Sequence, residues 1–309
     1  MSTQSAYRAR RVVLFGASGF LGAHVRAALE QHSAVEWVTC VGRDRCDLVA
    51  AEVDELAALL RELDPNVVVN CTGRLDGTGY DLVRANTLVT AKLIDAVERA
   101  GTGTRLLRLG SAGEYGSVAP GRPVTEDDPA APVSAYGMSH LAATRLLEFA
   151  VVAGRIDGCT LRVFNPIGPR LGEQTLLGRA AARLWAALAA GEKVITMGPL
   201  GAYRDFVDAR DVATAVVAAA LRPGPPPAVL NIGSGRAVTA REAVGLLGQV
   251  AGFTGEVREE DLPSARSAAV DWICADITRA GTALGWHPAH ELSDSVKAIW
   301  IQQFGGIRR

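Results

Sequence analysis

The sequence predicts an α/β protein: a doubly wound parallel sheet with a small discontinuous α/β cap. Three observations carry that expectation. Short apolar runs rich in β-branched residues alternate with helical patterns through the first half of the chain, the rhythm of βαβ units. A glycine-rich turn, Gly16-Ala17-Ser18-Gly19-Phe20-Leu21-Gly22, stands between the first run and the first helical pattern. After about Asn165 the rhythm changes, so the second half holds elements that finish the sheet beside elements that form the cap.

Taken in order, residues 11–15 form a continuous apolar run, as expected of a strand buried on both faces. Leu21, Val25, Ala28 and Leu29 then fall at helical spacing. Residues 35–41 read as the second strand, and 48–63 as a helix whose apolar face holds Val53, Leu56, Leu59 and Leu60. Asp64-Pro65 stops it. Strands at 67–69 and 105–109 flank a helix over 82–100 that ends on Gly101. A helix over 139–152 and a strand at 160–164 follow. Beyond them lie a helix at 178–190, short runs at 194–197 and 205–207, and a helix at 212–221. A stiff link, Gly224-Pro225-Pro226-Pro227, precedes a strand at 229–232 and a helix at 240–250. The expected division is a sheet domain over 1–165, completed by about 205–235. Residues 166–204 and 236–309 then form mainly the cap.

Composition narrows the function. The chain has 309 residues, 49% hydrophobic and 21% charged, with 32 basic against 33 acidic residues for a net charge of −1. A polymeric nucleic-acid partner would call for a basic excess. No apolar stretch approaches the length of a membrane span. Cys40, Cys46, Cys71, Cys159 and Cys274 are odd in number and include no C-x-x-C pair, which points to free thiols in a reducing, cytoplasmic setting. His287 and His290 are separated by Pro288 and lack further ligand groups nearby, so they read as an exposed loop and not as a metal site.

The glycine turn carries the first chemistry. Between a strand and a helix, Gly16, Gly19 and Gly22 allow a tight turn that brings backbone N–H groups and the helix N-terminus to a pyrophosphate. That is a dinucleotide-binding, Rossmann-type arrangement. Arg43, directly after Gly42 at the end of the second strand, favours NADP(H) over NAD(H), because an arginine there accommodates a 2′-phosphate. Asp44 could still face a ribose, and an exposed charged turn is the plain alternative.

The GxxGxxG spacing resembles the extended short-chain dehydrogenase/reductases, the NAD-dependent epimerase/dehydratase group. Further segments are similar to that family. Asp47 and Leu48 correspond to its adenine contact, and Asn70-Cys71-Thr72-Gly73 to the turn after its next strand, with Asn86 opening the following helical region. Ser111, in Gly110-Ser111-Ala112-Gly113-Glu114-Tyr115-Gly116, matches the catalytic Ser or Thr, and Tyr136 follows it by 25 positions. Arg162-Val163-Phe164-Asn165-Pro166-Ile167-Gly168-Pro169 resembles the segment where substrate and nicotinamide meet. The resemblance therefore implies a cofactor set of Gly16, Ser18, Gly19, Phe20, Leu21, Gly22, Arg43, Asp47, Leu48, Cys71, Thr72, Gly73, Asn86, Tyr136, His140, Pro166 and Ile167. It implies substrate contacts at Ser111, Glu114, Asn165, Arg204 and Arg266, and a homodimer formed by two helices. For Glu114 a structural hydrogen bond is an equal alternative.

One position departs from the family. Where its pattern is Y-x-x-x-K, this chain has Tyr136-Gly137-Met138-Ser139-His140. The lysine would hold the nicotinamide ribose and lower the tyrosine pKa. Histidine can donate to the ribose, and only if protonated supplies part of that field. His140 is therefore a working substitute, the mark of a slow or specialised enzyme, or the trace of lost catalysis. Dehydratases of the family carry Asp-Glu after the Ser or Thr, where this chain has Ala112-Gly113, so elimination lacks its proton-transfer groups. Closest in pattern are reductases of nucleotide-diphospho-4-keto-6-deoxysugars, including GDP-4-keto-6-deoxymannose reductases. The expected activity is hydride transfer from NADPH to a C4 keto group, with Ser111, Tyr136 and His140 catalytic. A C4 epimerase with retained NAD and a catalytically silent NADP-binding protein remain the alternatives.

Overall fold

The computed structural model describes residues 10–260 and 270–304. Six parallel strands form the central sheet, in the order β10-β5-β4-β3-β1-β2. They are β1 (Arg10–Phe15), β2 (Val35–Val41), β3 (Val67–Asn70), β4 (Arg105–Ser111), β5 (Asp157–Val163) and β10 (Val229–Ile232). Residues of β1 alternate between two cores: Val12 and Leu14 join one cluster, Val13 and Phe15 the other. A strand covered on both faces needs this uninterrupted apolar run.

On one face lie α1 (Phe20–Glu30), α7 (Ala209–Leu221) and α9 (Thr278–Leu284); on the other lie α2 (Val53–Leu63), α4 (Val89–Ala100) and α5 (Ala135–Val152). Four residues of α3 (Gly79–Leu82) and a π-helical turn, Val83–Leu88, run directly into α4. A third core cluster gathers α6 (Leu176–Ala190), β7 (Val194–Met197), α8 (Ala240–Ala251) and α10 (Leu292–Phe304). Short strands link it to the sheet: β6 (Pro166–Ile167) pairs with β9 (Val207–Asp208), β8 (Tyr203–Asp205) with β11 (Ala237–Thr239), and β7 with β12 (Glu256–Glu259).

Three of the differences from the periodicity reading bear on the site. Helix α2 starts at Val53, not at 48. Lys92 Nζ donates to the carbonyls of Leu48, Val49 and Ala51, holding that stretch in a turn, and a Glu52–Glu55 capping box opens the helix. Helix α5 starts at Ala135, because Ser134 Oγ accepts from Gly137 N and caps it. The expected helix over 82–100 begins earlier, at Gly79, and contains the π turn, so Asn86 sits inside it and does not open it. The His287–His290 loop is also more than exposed coil: His290 Nδ1 lies 2.8 Å from Asp211 Oδ1. All five cysteines are free thiols. Among the described residues no helix is long and apolar enough to cross a membrane.

The strand order reverses between β1 and β3, and the glycine turn lies at that switch point, where open α/β sheets hold their ligands. Gly16 has φ +79°, and a Cβ on Gly22 would stand 1.9 Å from the Gly16 carbonyl oxygen. Helix α1 can start only if residue 22 has no side chain. Gly22→Ala is therefore expected to destabilise the protein by about 1–3 kcal/mol, read from denaturant melts against wild type.

Candidate active site

The switch point supplies the cradle. Gly19 N donates to the Gly16 carbonyl at 3.0 Å, closing the turn. Gly19 is the N-cap of α1 and brings no side chain to bond its first-turn N–H groups, which stay available to an anion. Across the turn, a Cβ on Gly16 would lie 2.9 Å from the backbone of Cys71 and Thr72, so the loops after β1 and β3 touch. Ser18 is exposed, and the Phe20 ring packs edge-on to His24. These residues fit a dinucleotide: the glycines let the turn close against its own backbone, so that the first-turn N–H groups of α1 are left to meet a pyrophosphate.

Around the cradle the predicted residues divide. Arg43 is exposed at the end of β2, beside Asp44, whose carboxylate folds over Gly42. Asp47 is exposed, whereas Leu48 is packed into the core beside α2. Thr72 N and Oγ1 both donate to Asn70 Oδ1, which shapes the turn through Gly73. Asn86, expected at the cofactor, has its amide engaged inside the protein. Its Oδ1 accepts from Arg74 N, and its Nδ2 donates to Arg74 O and Ser139 Oγ. With its amide engaged inside the protein, Asn86 fastens the loop after β3 to α5. The π turn that presents it is a helix irregularity often found at functional sites.

Strand β4 ends at Ser111, and α5 carries Tyr136 and His140 on one face, four residues apart. A Cβ built on Gly113 would stand 3.3 Å from Ser111 Oγ and 3.5 Å from the Tyr136 ring, so the two side chains flank one small space. Gly113 N donates to Ser111 Oγ at 3.1 Å. The rings of Tyr136 and His140 pack with centroids 4.6 Å apart.

Glu114 lies beneath this space and not in it. Its carboxylate is 0% exposed, accepts from Ser111 N, and pairs with Arg162 Nε at 2.7 Å. The substrate contact expected of Glu114 is thus replaced by a structural role. Burial pulls the Arg162 pKa down, but the charges and hydrogen bonds of Glu114 and Tyr115 outweigh it and raise the net value. The Arg162 guanidinium also lies over the Tyr115 ring, whose hydroxyl donates to Asn231 on β10.

His140 is 6% exposed, and Arg108 Nη2 donates to its Nδ1 at 3.1 Å. Burial first, then the Arg108 charge, push its pKa down to about 3. It is therefore neutral near pH 7, with the proton on Nε2, because an arginine cannot accept a hydrogen bond. The idea that a protonated His140 supplies the missing lysine charge does not hold. Arg108 is absent from the residues that the sequence motifs single out, and Arg162 enters them only as the head of its segment, with no role. The available signal was a basic residue in the middle of an otherwise apolar strand, which requires a buried partner.

On the far side, Asn165 Nδ2 donates to the Asp205 carbonyl, and Pro166 and Ile167 pair with β9. Asp205 is buried and accepts from Ser234 N and Oγ, Gly235 N and Ala275 N, locking the joint between β8 and the segment after β10. Arg204 is 9% exposed and donates to its neighbour's carbonyl, Tyr203 O. Arg266 lies outside the described residues.

Residues 12–233 match the model of the NAD dependent epimerase/dehydratase family. The chain belongs to that family. A dTDP-6-deoxy-L-talose 4-dehydrogenase (NAD(P)(+)) from Kitasatospora kifunensis is 38% identical over 306 residues, covering 95% of each chain. A UDP-glucose 4-epimerase from Azospirillum brasilense is 26% identical, over 93% of this chain and 89% of its own. The solved structure of RMD from Pseudomonas aeruginosa complexed with NADPH superposes with a TM-score of 0.83 at 26% identity, covering 96% of this chain and 99% of that one. The two relatives are named for reactions of nucleotide sugars, and the solved neighbour holds NADPH.

Two outcomes are expected. Glu114→Gln leaves Arg162 buried without its counter-charge and should cost about 3–5 kcal/mol in a denaturant melt. His140, held neutral from an ordinary 6.5 down to about 3, makes the folded state bind fewer protons than the unfolded state between those values. Its contribution is present above pH 6.5 and is lost as pH falls toward 3. His140→Phe should flatten the acid loss of stability in that window by about one proton's worth, read from melts at stepped pH.

Proposed function

We propose that the protein is a 4-ketoreductase of nucleotide-diphosphate 6-deoxyhexoses, using NADPH in preference to NADH. The observation that carries this reading is the space between Ser111 Oγ and the Tyr136 ring, bordered by Gly113, with Ala112-Gly113 where a dehydratase carries its Asp-Glu pair. Gly113 does not have the positive φ that excludes side chains, so the backbone is no bar to a dehydratase's carboxylate there. Its absence is a matter of chemistry. Such a site can hold a carbonyl and pass one proton, and it lacks the groups for elimination. The 38% relative, named for chemistry at C4 of a dTDP-6-deoxyhexose, supports the same carbon and favours dTDP as the nucleotide. The exposed Arg43 supports the NADP preference.

The bound nicotinamide supplies the hydride. Ser111 Oγ donates to the C4 oxygen and holds it against Tyr136, whose Oη hands over its proton as negative charge develops there. His140, fixed with its proton on Nε2, is the donor for the nicotinamide ribose. The first turn of α1 binds the pyrophosphate. Asn165 and Arg204 are assigned to the nucleotide diphosphate, and the cluster of α6, α8 and α10 to the cap. The apolar side chains of Leu88, Leu146, Phe149 and Val152, all exposed on the α4–α5 side, support a homodimer.

NADPH oxidation with dTDP- and GDP-linked 4-keto-6-deoxyhexoses tests the reading. Tyr136→Phe should lower turnover about 10²–10⁴-fold while NADPH affinity is kept. Equal rates in the two proteins would remove Tyr136 from the chemistry. An epimerase, by contrast, would retain NAD through purification and consume no NADPH.

A further inference from the structure

The continuous helix from Gly79 to Ala100 touches both loops that border the glycine cradle. Through Asn86 it holds the loop after β3. Further along, in α4, Lys92 reaches the loop after β2. Its Nζ donates to the carbonyls of Ala51 at 2.7 Å, Val49 at 3.0 Å and Leu48 at 3.3 Å. An ammonium has three N–H donors, and here each has a backbone carbonyl.

Those carbonyls belong to a single turn over 47–51. Ala50 N and Ala51 N donate to the Asp47 carbonyl, and Val49 N donates to Asp47 Oδ1. Asp47 thus caps the start of the turn, and the Lys92 ammonium gathers carbonyls toward its far end, where a helical turn carries its negative pole. The choice of side chain fits this geometry. Of the 32 basic residues only Lys92, Lys193 and Lys297 are lysines. The guanidinium that serves elsewhere is a flat fork, whereas three carbonyls converging on one atom call for a compact ammonium.

The loop after the second strand of a Rossmann sheet meets the adenosine half of a dinucleotide. Here it carries Arg43 and Asp47, both exposed. We propose that Lys92 is a positioning residue for that half of the cofactor: by fixing the 47–51 turn it sets where the Asp47 carboxylate stands. One oxygen of Asp47 is spent on Val49 N, and the other is the acceptor that the turn offers to the adenine amino group. The role rests on the cofactor reading of the cradle given above and is independent of the sugar. One helix then holds both cofactor loops, through Asn86 at one and Lys92 at the other.

Binding decides the matter without any sugar. Wild type and Lys92→Met are titrated by calorimetry with NADPH and with 2′,5′-ADP, the adenosine half alone, and each protein is melted without ligand. In Lys92→Met the affinity for 2′,5′-ADP should fall about tenfold, the scale of one charge-assisted hydrogen bond, and that for NADPH by the same factor to within about threefold. A folded Lys92→Met that binds 2′,5′-ADP as wild type does, whatever its melt, has lost a structural contact alone and overturns the proposal. So does a loss for NADPH that 2′,5′-ADP does not share. For the case in which Lys92→Met does not fold, wild type labelled with carbon-13 at lysine Cε is followed by NMR. Its three lysine signals are assigned by loss in Lys193→Arg and Lys297→Arg, both exposed positions. The Lys92 signal should shift as 2′,5′-ADP is added; a signal that stays in place at saturation overturns the proposal. A wild type that binds 2′,5′-ADP and is inert on every keto-sugar sinks the proposed reductase and leaves Lys92 to be judged by these titrations.

Discussion

The catalytic end of the sheet depends on the buried pair between Glu114 and Arg162. These residues belong to adjacent strand ends, and neither can shift without exposing an unpaired charge to an apolar interior. One oxygen of Glu114 binds the backbone N–H of Ser111, and the other binds Arg162. The serine's position is therefore tied to the strand that leads into Asn165, Pro166 and Ile167. Tyr115 extends the tie: its ring lies under the Arg162 guanidinium and its hydroxyl reaches Asn231. Three neighbouring strands, β4, β5 and β10, are held in register at their carboxyl ends by one polar cluster. Such a pair is weak evidence for stability, because desolvation offsets its attraction. Its contribution here is positional.

The same constraint sets the electrostatics. Glu114 pairs with Arg162, and Arg108 is held by Thr144 and His140 instead. A net charge of −1 over the whole chain gives no hint of this. Charge balance is a local matter in a low-dielectric interior, where a few ångströms decide which groups see one another. It also explains why His140 is neutral. A histidine that accepts from a guanidinium and is shut away from water has no reason to hold a second proton.

Much of the fold was legible because periodicity and turn chemistry report local constraints. Each sheet strand falls within a few residues of its predicted place, and Gly101 ends α4 in the left-handed conformation. The early part of α2 was not legible. Its carbonyls are taken by Lys92, a residue more than forty positions away, and no local pattern encodes that. The resemblance places Asn86 at the cofactor, and it does not reveal that the amide binds the loop after β3 and Ser139. The site residues divide in the same way. Ser111 and Tyr136 stand in motifs that resemble the family's, and Arg162 opens another, whereas no motif marks Arg108.

By itself the sequence determined the sheet, the glycine cradle, the family, and the serine and tyrosine that meet across Gly113. The sheet and the cradle follow from short-range rules, alternation, caps and turns; the family, the serine and the tyrosine follow from resemblance to known motifs. Only the tertiary structure decided which carboxylate is spent inside the protein, which arginine it pairs with, and which form of His140 is present. Those outcomes depend on distances between residues far apart in the chain and on how much water remains around them. Neither quantity is written in local sequence, and together they set every charge at the site.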